Sequence, residues 1–182
     1  AFIFQPIRQF FNRVTNRVFY RDNYNTEEFF ARLSRRLSTT TDLRGLLQRA
    51  AHEISSTIKA EQGFVAISYG DGHFVTAGTQ KHERVTLHEL QEVSESAIES
   101  EGVVIITELL YQEKKLQSML KQKGIALVLP LMHENGVIGC LFLGAQQSRN
   151  YTKRDIRTLE TIRDELVIAI QNALSVQEVR EI

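Results

Sequence analysis

The sequence predicts an α+β fold, a central antiparallel sheet with the terminal helices on one face and a crossover segment on the other. Three observations predict it. Apolar residues recur at helical spacing near both ends, over 26–60 and 152–176. Two strand pairs with turn chemistry lie between, one around Gly70-Asp71-Gly72 and one around Asn135-Gly136. The second pair, "IALVLPL" and "GVIGCLFLGA", is apolar on both faces, and such a sheet needs cover on both sides.

Residues 1–22 read as a basic amphipathic helix that starts near Pro6, a residue suited to the first helical turn. Ile7, Phe10, Phe11, Val14 and Val18 form its stripe, and Arg8, Arg13, Arg17 and Arg21 flank it with no acid before Asp22. An ordinary packing helix has this pattern. So does a juxtamembrane helix with its arginines on the cytoplasmic side. Asn25 or Thr26 can cap the next helix, whose stripe is Phe29, Leu33 and Leu37. The run "STTTD" at 38–42 breaks that helix and caps another, with Leu43, Leu47, Ala50, Ile54 and Ile58 on one face.

Residues 63–79 switch to strand chemistry. A helix over 86–100 follows, with Thr86 and Glu89 as a capping box and Leu87, Leu90, Ala97 and Ile98 as its apolar face. A buried strand is expected at 103–107 and a helix at 108–124, stopped by Gly124. With Asn135-Gly136 as a two-residue loop, His133 faces Ile138, Leu131 faces Cys140 and Leu129 faces Phe142. Leu127, Leu129, Leu131, Cys140 and Phe142 then share one face, and Val128, Pro130, Leu141 and Leu143 the other. Pro130 has no N–H, so its nitrogen should meet an edge, a bulge or an interrupted pairing. The closing helix, 151–182, carries a Thr152/Asp155 capping box and two stripes. One stripe is Leu159, Ile162, Leu166, Ala169, Ala173 and Val176; the other is Val167, Ile170 and Leu174. Two stripes call for two partners, the chain's own sheet and a parallel helix of a second copy.

The 182 residues carry 22 basic and 22 acidic side chains, so no overall basic field points to nucleic acid. One cysteine excludes an internal disulfide framework and a cysteine-rich metal site. No apolar run is long enough to span a membrane. Paired catalytic carboxylates, a nucleophile-base set and a phosphate-cradling glycine loop are not recognisable, so this chain is expected not to be an enzyme. In the expected register Cys140 and His133 are diagonal neighbours ~7–8 Å apart, too far to share a metal. Cys140 reads as a small buried hydrophobe and His133 as a turn or packing residue.

Three stretches together resemble the GAF domain family. They are "LSTTTDLRGLLQRAAHEISSTIKAEQGFVAIS", the hairpin "ALVLPLMHENGVIGCLFLGA" and the closing "YTKRDIRTLETIRDELVIAIQNA". The resemblance covers about 27–175, leaving 1–26 as a juxtamembrane or linker helix and 176–182 as the start of a signalling helix. The lead-in "RVFYRDNYN" is similar to the juncture between a membrane region and a GAF domain in bacterial sensor histidine kinases. The resemblance implies a GAF-like, PAS-related sheet and a homodimer built from the terminal helices. It also implies a small-molecule pocket under the crossover and a downstream kinase domain in the same chain. The chain would then be a cytoplasmic sensory domain of a cell-membrane protein. A ligand-free dimerisation and relay module is the alternative, as is a phosphodiesterase or transcription-regulator parent. The kinase's own phosphoacceptor and ATP-lid patterns are absent from this chain.

For a pocket facing the crossover, the candidate ligand-binding residues are Phe64, Ser68, Tyr69, Thr107 and Tyr111, aromatic walls with a few hydroxyls. His88, early in the crossover helix, is the candidate axial ligand if the cofactor were haem; the sequence identifies no cofactor. No metal site is expected. The single cysteine argues against the family's methionine sulfoxide reductases, and the residue set usual in cyclic-nucleotide binders cannot be placed.

Overall fold

The computed structural model describes residues 24–40, 42–79, 84–134 and 136–181, with side chains described as far as 177. The expected helix over 1–22 lies outside the described residues. In chain order the helices are α1 (Thr26–Ser38), α2 (Leu43–Ile58), α3 (Leu87–Glu99), α4 (Lys114–Gln122) and α5 (Lys153–Glu181). The strands are β1 (Gly63–Tyr69), β2 (His73–Gly78), β3 (Ile105–Ile106), β4 (Leu127–His133) and β5 (Gly136–Leu143). They form one sheet in the order β2-β1-β5-β4-β3, antiparallel throughout.

Local chemistry starts the helices where the sequence places them. The Asn25 side chain accepts from the N–H groups of Glu27 and Glu28 at 3.0 and 3.3 Å. Asp42 accepts from Gly45 N–H at 3.0 Å. Thr86 and Glu89 cap α3 reciprocally, at 3.2 and 2.8 Å. Thr152 and Asp155 do the same for α5, at 3.2 and 2.9 Å. Each such cap satisfies donors that the first turn leaves without partners, worth about 1 kcal/mol.

Two cores result. On one face of the sheet α1, α2 and α5 pack over Val65, Ile67, Leu127, Leu129, Leu131, Leu141 and Leu143. On the other, α3, α4 and the connecting segments pack over Phe64, Ala66, Val128, Cys140 and Phe142. Terminal helices on one side and crossover on the other is the predicted arrangement. The helix face also holds an ion cluster, with Glu53 of α2, 7% exposed, paired to Arg32 and Arg36 of α1.

The hairpin register differs from the expected one. His133 pairs with Gly136 and Met132 with Val137, one step from the expected register, and Glu134 takes the left-handed backbone, φ 56°. The register then shifts between Leu131 and Met132, with Ile138 as the extra residue, and Leu131 meets Gly139. Cys140 and Phe142 therefore leave the face expected for them and join Val128, while Leu141 and Leu143 join Leu127, Leu129 and Leu131. The cause is β1. A Cβ on Gly139 would lie 2.3 Å from Ala66 O and 2.5 Å from Ile67 Cγ2, so the third strand sits where only glycine fits.

Pro130 meets the interrupted pairing expected of it. β3 pairs with β4 only at Val128 and Leu127, and beyond its end Arg163 of α5 donates to Gly102 O at 2.6 Å and to Pro130 O at 3.5 Å. The opposite edge is closed by side chains. The Gln48 carboxamide donates to Gly78 O at 2.7 Å and accepts from Gly78 N–H at 3.0 Å, standing in for a neighbouring strand. Arg84 donates to Thr76 O at 2.8 Å.

Three further expectations change. The strand at 103–107 shortens to Ile105–Ile106 and a 3₁₀ turn occupies Thr107–Leu109. Thr107 N–H bonds Ala126 O at 3.0 Å and its hydroxyl donates to Ile125 O at 2.8 Å, which holds the chain against β4. The helix expected from 108 consequently begins at Lys114. In α3, Val93 and Ala97 are buried while Ile98 is exposed.

The second stripe of α5 finds its partner within the chain. Val167 and Ile170 are buried and Leu174 packs partly against the same core. A 29-residue helix touching the sheet, α1 and α2 together has more than one apolar face to satisfy.

Two tyrosines set a pH dependence. Tyr24 donates to Asp155 Oδ1 at 2.9 Å, and burial, with the Asp155 carboxylate beside it, pushes its hydroxyl up to about 12. Burial, then the Asp155 and Glu61 carboxylates, also pushes up Tyr151, whose hydroxyl donates to Gly144 O at 2.6 Å. Raised values mean that the folded state holds these protons more tightly than the unfolded chain. Their contribution is therefore complete below about pH 10 and is lost as pH rises through 12. Melting temperature should be level approaching pH 10 and fall above it. Tyr24→Phe should make that fall shallower, with Tyr151 keeping part of it.

Candidate functional site

The face under the crossover is a filled core. Phe64 and Phe142 stack with ring centroids 4.8 Å apart and planes at 16°. Val85, Leu90, Val93, Leu116, Leu120 and Ile125 close over them. Cys140 is fully buried between these layers, and burial pushes its thiol up to about 12 against the opposing hydrogen bond with Ser94. A thiol held protonated and sealed is inert. An aromatic disulfide reagent at pH 8 should leave it unlabelled in the folded chain and modify one thiol after urea unfolding. Rapid labelling of the folded chain would contradict this packing.

The six candidate ligand-binding residues are not brought together under the crossover; of them only Ser68 and Tyr69, neighbours on β1, border one groove, and it lies on the helix side of the sheet. Phe64 is in the filled core. Ser68 is exposed at the end of β1. Tyr69 points to the other face of the sheet, packing partly against the helix-side core, and its hydroxyl accepts from Gln177 of α5 at 3.3 Å. Thr107, 1% exposed, is spent on Ile125 O. Tyr111 is 70% exposed. His88 is a surface residue, 3.8 Å from Glu92 on the next turn.

Cys140 and His133 are further apart than the expected register put them. Cys140 pairs with Pro130 while His133 pairs with Gly136 at the hairpin's end, three steps along β4, about 10 Å. Among the described residues no group of three or more His, Cys, Asp or Glu could hold a metal. No described helix is long and apolar enough to cross a membrane.

What the fold leaves uncovered lies along α5. Ile168 is 58% exposed and Val176 40%, two turns apart, with Asn172 between them. They border a groove of about 240 Å³ whose other wall is the end of α1, with Leu37 at its base and Ser34 and Ser38 on its side. The buried Ser34 hydroxyl has no hydrogen-bond partner among the described residues. The sequence signal for this groove was Ala169 and Val176 in the first α5 stripe; Ile168, outside both stripes, was missed.

The GAF domain family matches residues 40–171, and the chain belongs to that family. Solved structures share its fold. The phycoerythrobilin-bound GAF domain of a cyanobacterial phytochrome superposes with a TM-score of 0.63 at 12% identity, covering 85% of this chain and 99% of that one. The GAF domain of an Acinetobacter phosphoenolpyruvate-protein phosphotransferase gives 0.64 at 14% identity, covering 82% and 94%. Residues 122 to 287 of a methyl-accepting chemotaxis protein give 0.60 at 16% identity, covering 79% and 98%. No sequence among curated proteins matches the chain.

Proposed function

We propose that this GAF domain is the regulatory module of a membrane-anchored sensor histidine kinase. It pairs with a second copy through α1 and α5 and passes a signal along α5 into the chain that follows. The observation carrying the proposal is the uncovered Ile168–Asn172–Val176 row beside the α1 groove, on the longest helix of the fold. Pairing two such rows would remove apolar surface from water at ~25 cal/mol per Å². The kinase parent is supported by the basic lead-in with Arg8, Arg13, Arg17 and Arg21, which suits the cytoplasmic side of a membrane. Phytochrome and chemotaxis proteins among the fold's relatives are compatible with a signalling role. The domain itself performs no catalysis in this reading.

Light scattering tests the pairing. The wild-type chain is expected to show twice its 20.9 kDa mass at high concentration, and Ile168→Glu with Val176→Glu to halve it in a chain that still melts cooperatively and matches the wild-type melting temperature at dilutions where the wild type is monomeric. A wild-type monomer under those conditions would remove the dimer from the proposal. The sequence adjoining this chain tests the parent, through preceding apolar spans and a following phosphoacceptor helix.

The filled crossover core favours a second reading, a relay without a ligand under the crossover. A thermal-shift screen with nucleotides, haem and common metabolites separates the two, since a ligand bound only by the folded state must raise the melting temperature.

A further inference from the structure

We infer that the groove between the β1–β2 turn and the last turns of α5 is a small-molecule site, on the face of the sheet opposite the crossover, for a flat apolar molecule with a cationic head. The groove has a volume of about 460 Å³, within the roughly 300–1,000 Å³ usual for ligand clefts. Its floor is apolar: Ile67 and Ile170 are buried, and Ile138 and Leu174 are partly buried. One wall is aromatic. The Tyr69 and His73 rings stack at 5.2 Å with planes 20° apart, and Gln177 fixes the tyrosine by donating to its hydroxyl at 3.3 Å.

The rim supplies the head's partners. Asp71 carries the one carboxylate among the described lining residues, which include no lysine or arginine. Its side chain and that of Gln171 make no hydrogen bond or ion pair among the described residues, so both are available. Turn chemistry explains an aspartate between Gly70 and Gly72, whose φ angles are 54° and 83°. It does not explain an aromatic wall and an aliphatic floor converging beside it. A planar ring would cover the floor and lie against the Tyr69–His73 wall. An ammonium group would meet the Asp71 carboxylate at the solvent edge, where anions are disfavoured.

The position gives such a ligand leverage. Ile170, Leu174 and Gln177 belong to one flank of α5, while Ile168, Asn172 and Val176 belong to the other. The site does not depend on the dimer or on the kinase parent. If the pairing also holds, ligand and partner act on one helix, and each must change the other's affinity by the same factor.

Titration of the ¹⁵N-labelled chain with tryptamine, followed by amide chemical shifts, tests the site. Saturable changes are expected at 67–73 and 170–177 at millimolar probe. Ser175→Trp, at an exposed lining position, should fill the groove and abolish the changes while keeping the wild-type melting temperature; Ser68→Trp, whose side chain alternates with Ile67 and Tyr69 and so leaves β1 on the crossover face, should not. Asp71→Asn should weaken tryptamine about two- to fivefold, as an exposed charge pair warrants. It should leave the uncharged indole-3-propionamide unaffected. Changes centred on Phe64, Val85 and Cys140, changes that survive Ser175→Trp, or no saturable change with tryptamine would overturn the assignment. Tryptamine binding here by a strictly monomeric chain would sink the dimer and leave this site standing.

Discussion

Asp155→Ala is expected to lower the free energy of unfolding by about 3–5 kcal/mol, a fall in melting temperature on the order of 10 °C for a domain of this size. Asp155 is 1% exposed and four donors converge on it. Tyr24 reaches Oδ1 at 2.9 Å and Arg149 at 3.4 Å; Thr152 N–H reaches Oδ2 at 2.9 Å and the Gln146 amide at 3.3 Å. Removing the carboxylate breaks the half of the capping box that accepts from Thr152 N–H, while Thr152 Oγ still accepts from the N–H of residue 155, and takes away the carboxylate to which Arg149 donates. It also unties α1 from α5, because Tyr24 holds the entry to α1 against the start of α5 through this side chain. Among the described residues Gln146 would keep only Ile58 O at 2.9 Å, and its own Oε1 already has no partner there. Asp155→Asn should fall between wild type and alanine, since one oxygen still accepts while the amide nitrogen opposes the donors around it. Urea denaturation of the three proteins measures this. A loss under 1 kcal/mol for alanine would mean that the cluster is not the tie described.

Phe142→Ala is expected to cost a similar amount, about 3–5 kcal/mol, through lost transfer energy and an unfilled cavity. Phe142 is fully buried in a central strand and stacks on Phe64, with Cys140 and Val128 on the same face. The backbone there cannot close the gap, because β5 is held between β1 and β4 along its length. The measurement bears on function as well as stability. A small loss would mean that the crossover core is loosely filled and can yield room to a ligand. The full loss would mean that its own side chains are the filling.

Much of the fold was legible because its signals are local. Asn25, Asp42, Thr86 with Glu89, and Thr152 with Asp155 are caps, and a cap needs only its own first turn. The Gly70-Asp71-Gly72 turn is likewise self-contained, with Tyr69 paired to His73 across it. The second hairpin was legible as a hairpin but not in register. Asn135-Gly136 is a strong turn signal, yet the ladder is set by the close approach of Ala66 and Ile67 to Gly139, residues some seventy positions apart in sequence. Tertiary fit outweighed the turn preference, and one step of slip exchanged the faces of Cys140 and Leu141.

The candidate site was less legible for a related reason. Aromatic and hydroxyl side chains near a sheet look the same in sequence whether they line a cavity, fill a core or meet solvent. Phe64, Thr107 and Tyr111 turned out to represent the last two. The stripes of α5 showed which positions are apolar but not how many neighbours the helix meets. Two stripes were expected to need two partners, yet Val167 and Ile170 of the second are covered by the chain itself.

The Tyr24–Asp155 bond spans 131 residues, and β1 takes β5 as its inner neighbour. A chain leaving the ribosome at ~5–20 residues per second therefore exposes α1 and α2 for several seconds before the strand and helix they await have been made. Until α5 emerges, Phe29, Leu33 and Leu37 face water or a chaperone. Nascent chains stalled before residue 150 should be markedly more protease-sensitive than chains released after 177. The last helix is thus also the domain's folding checkpoint during synthesis.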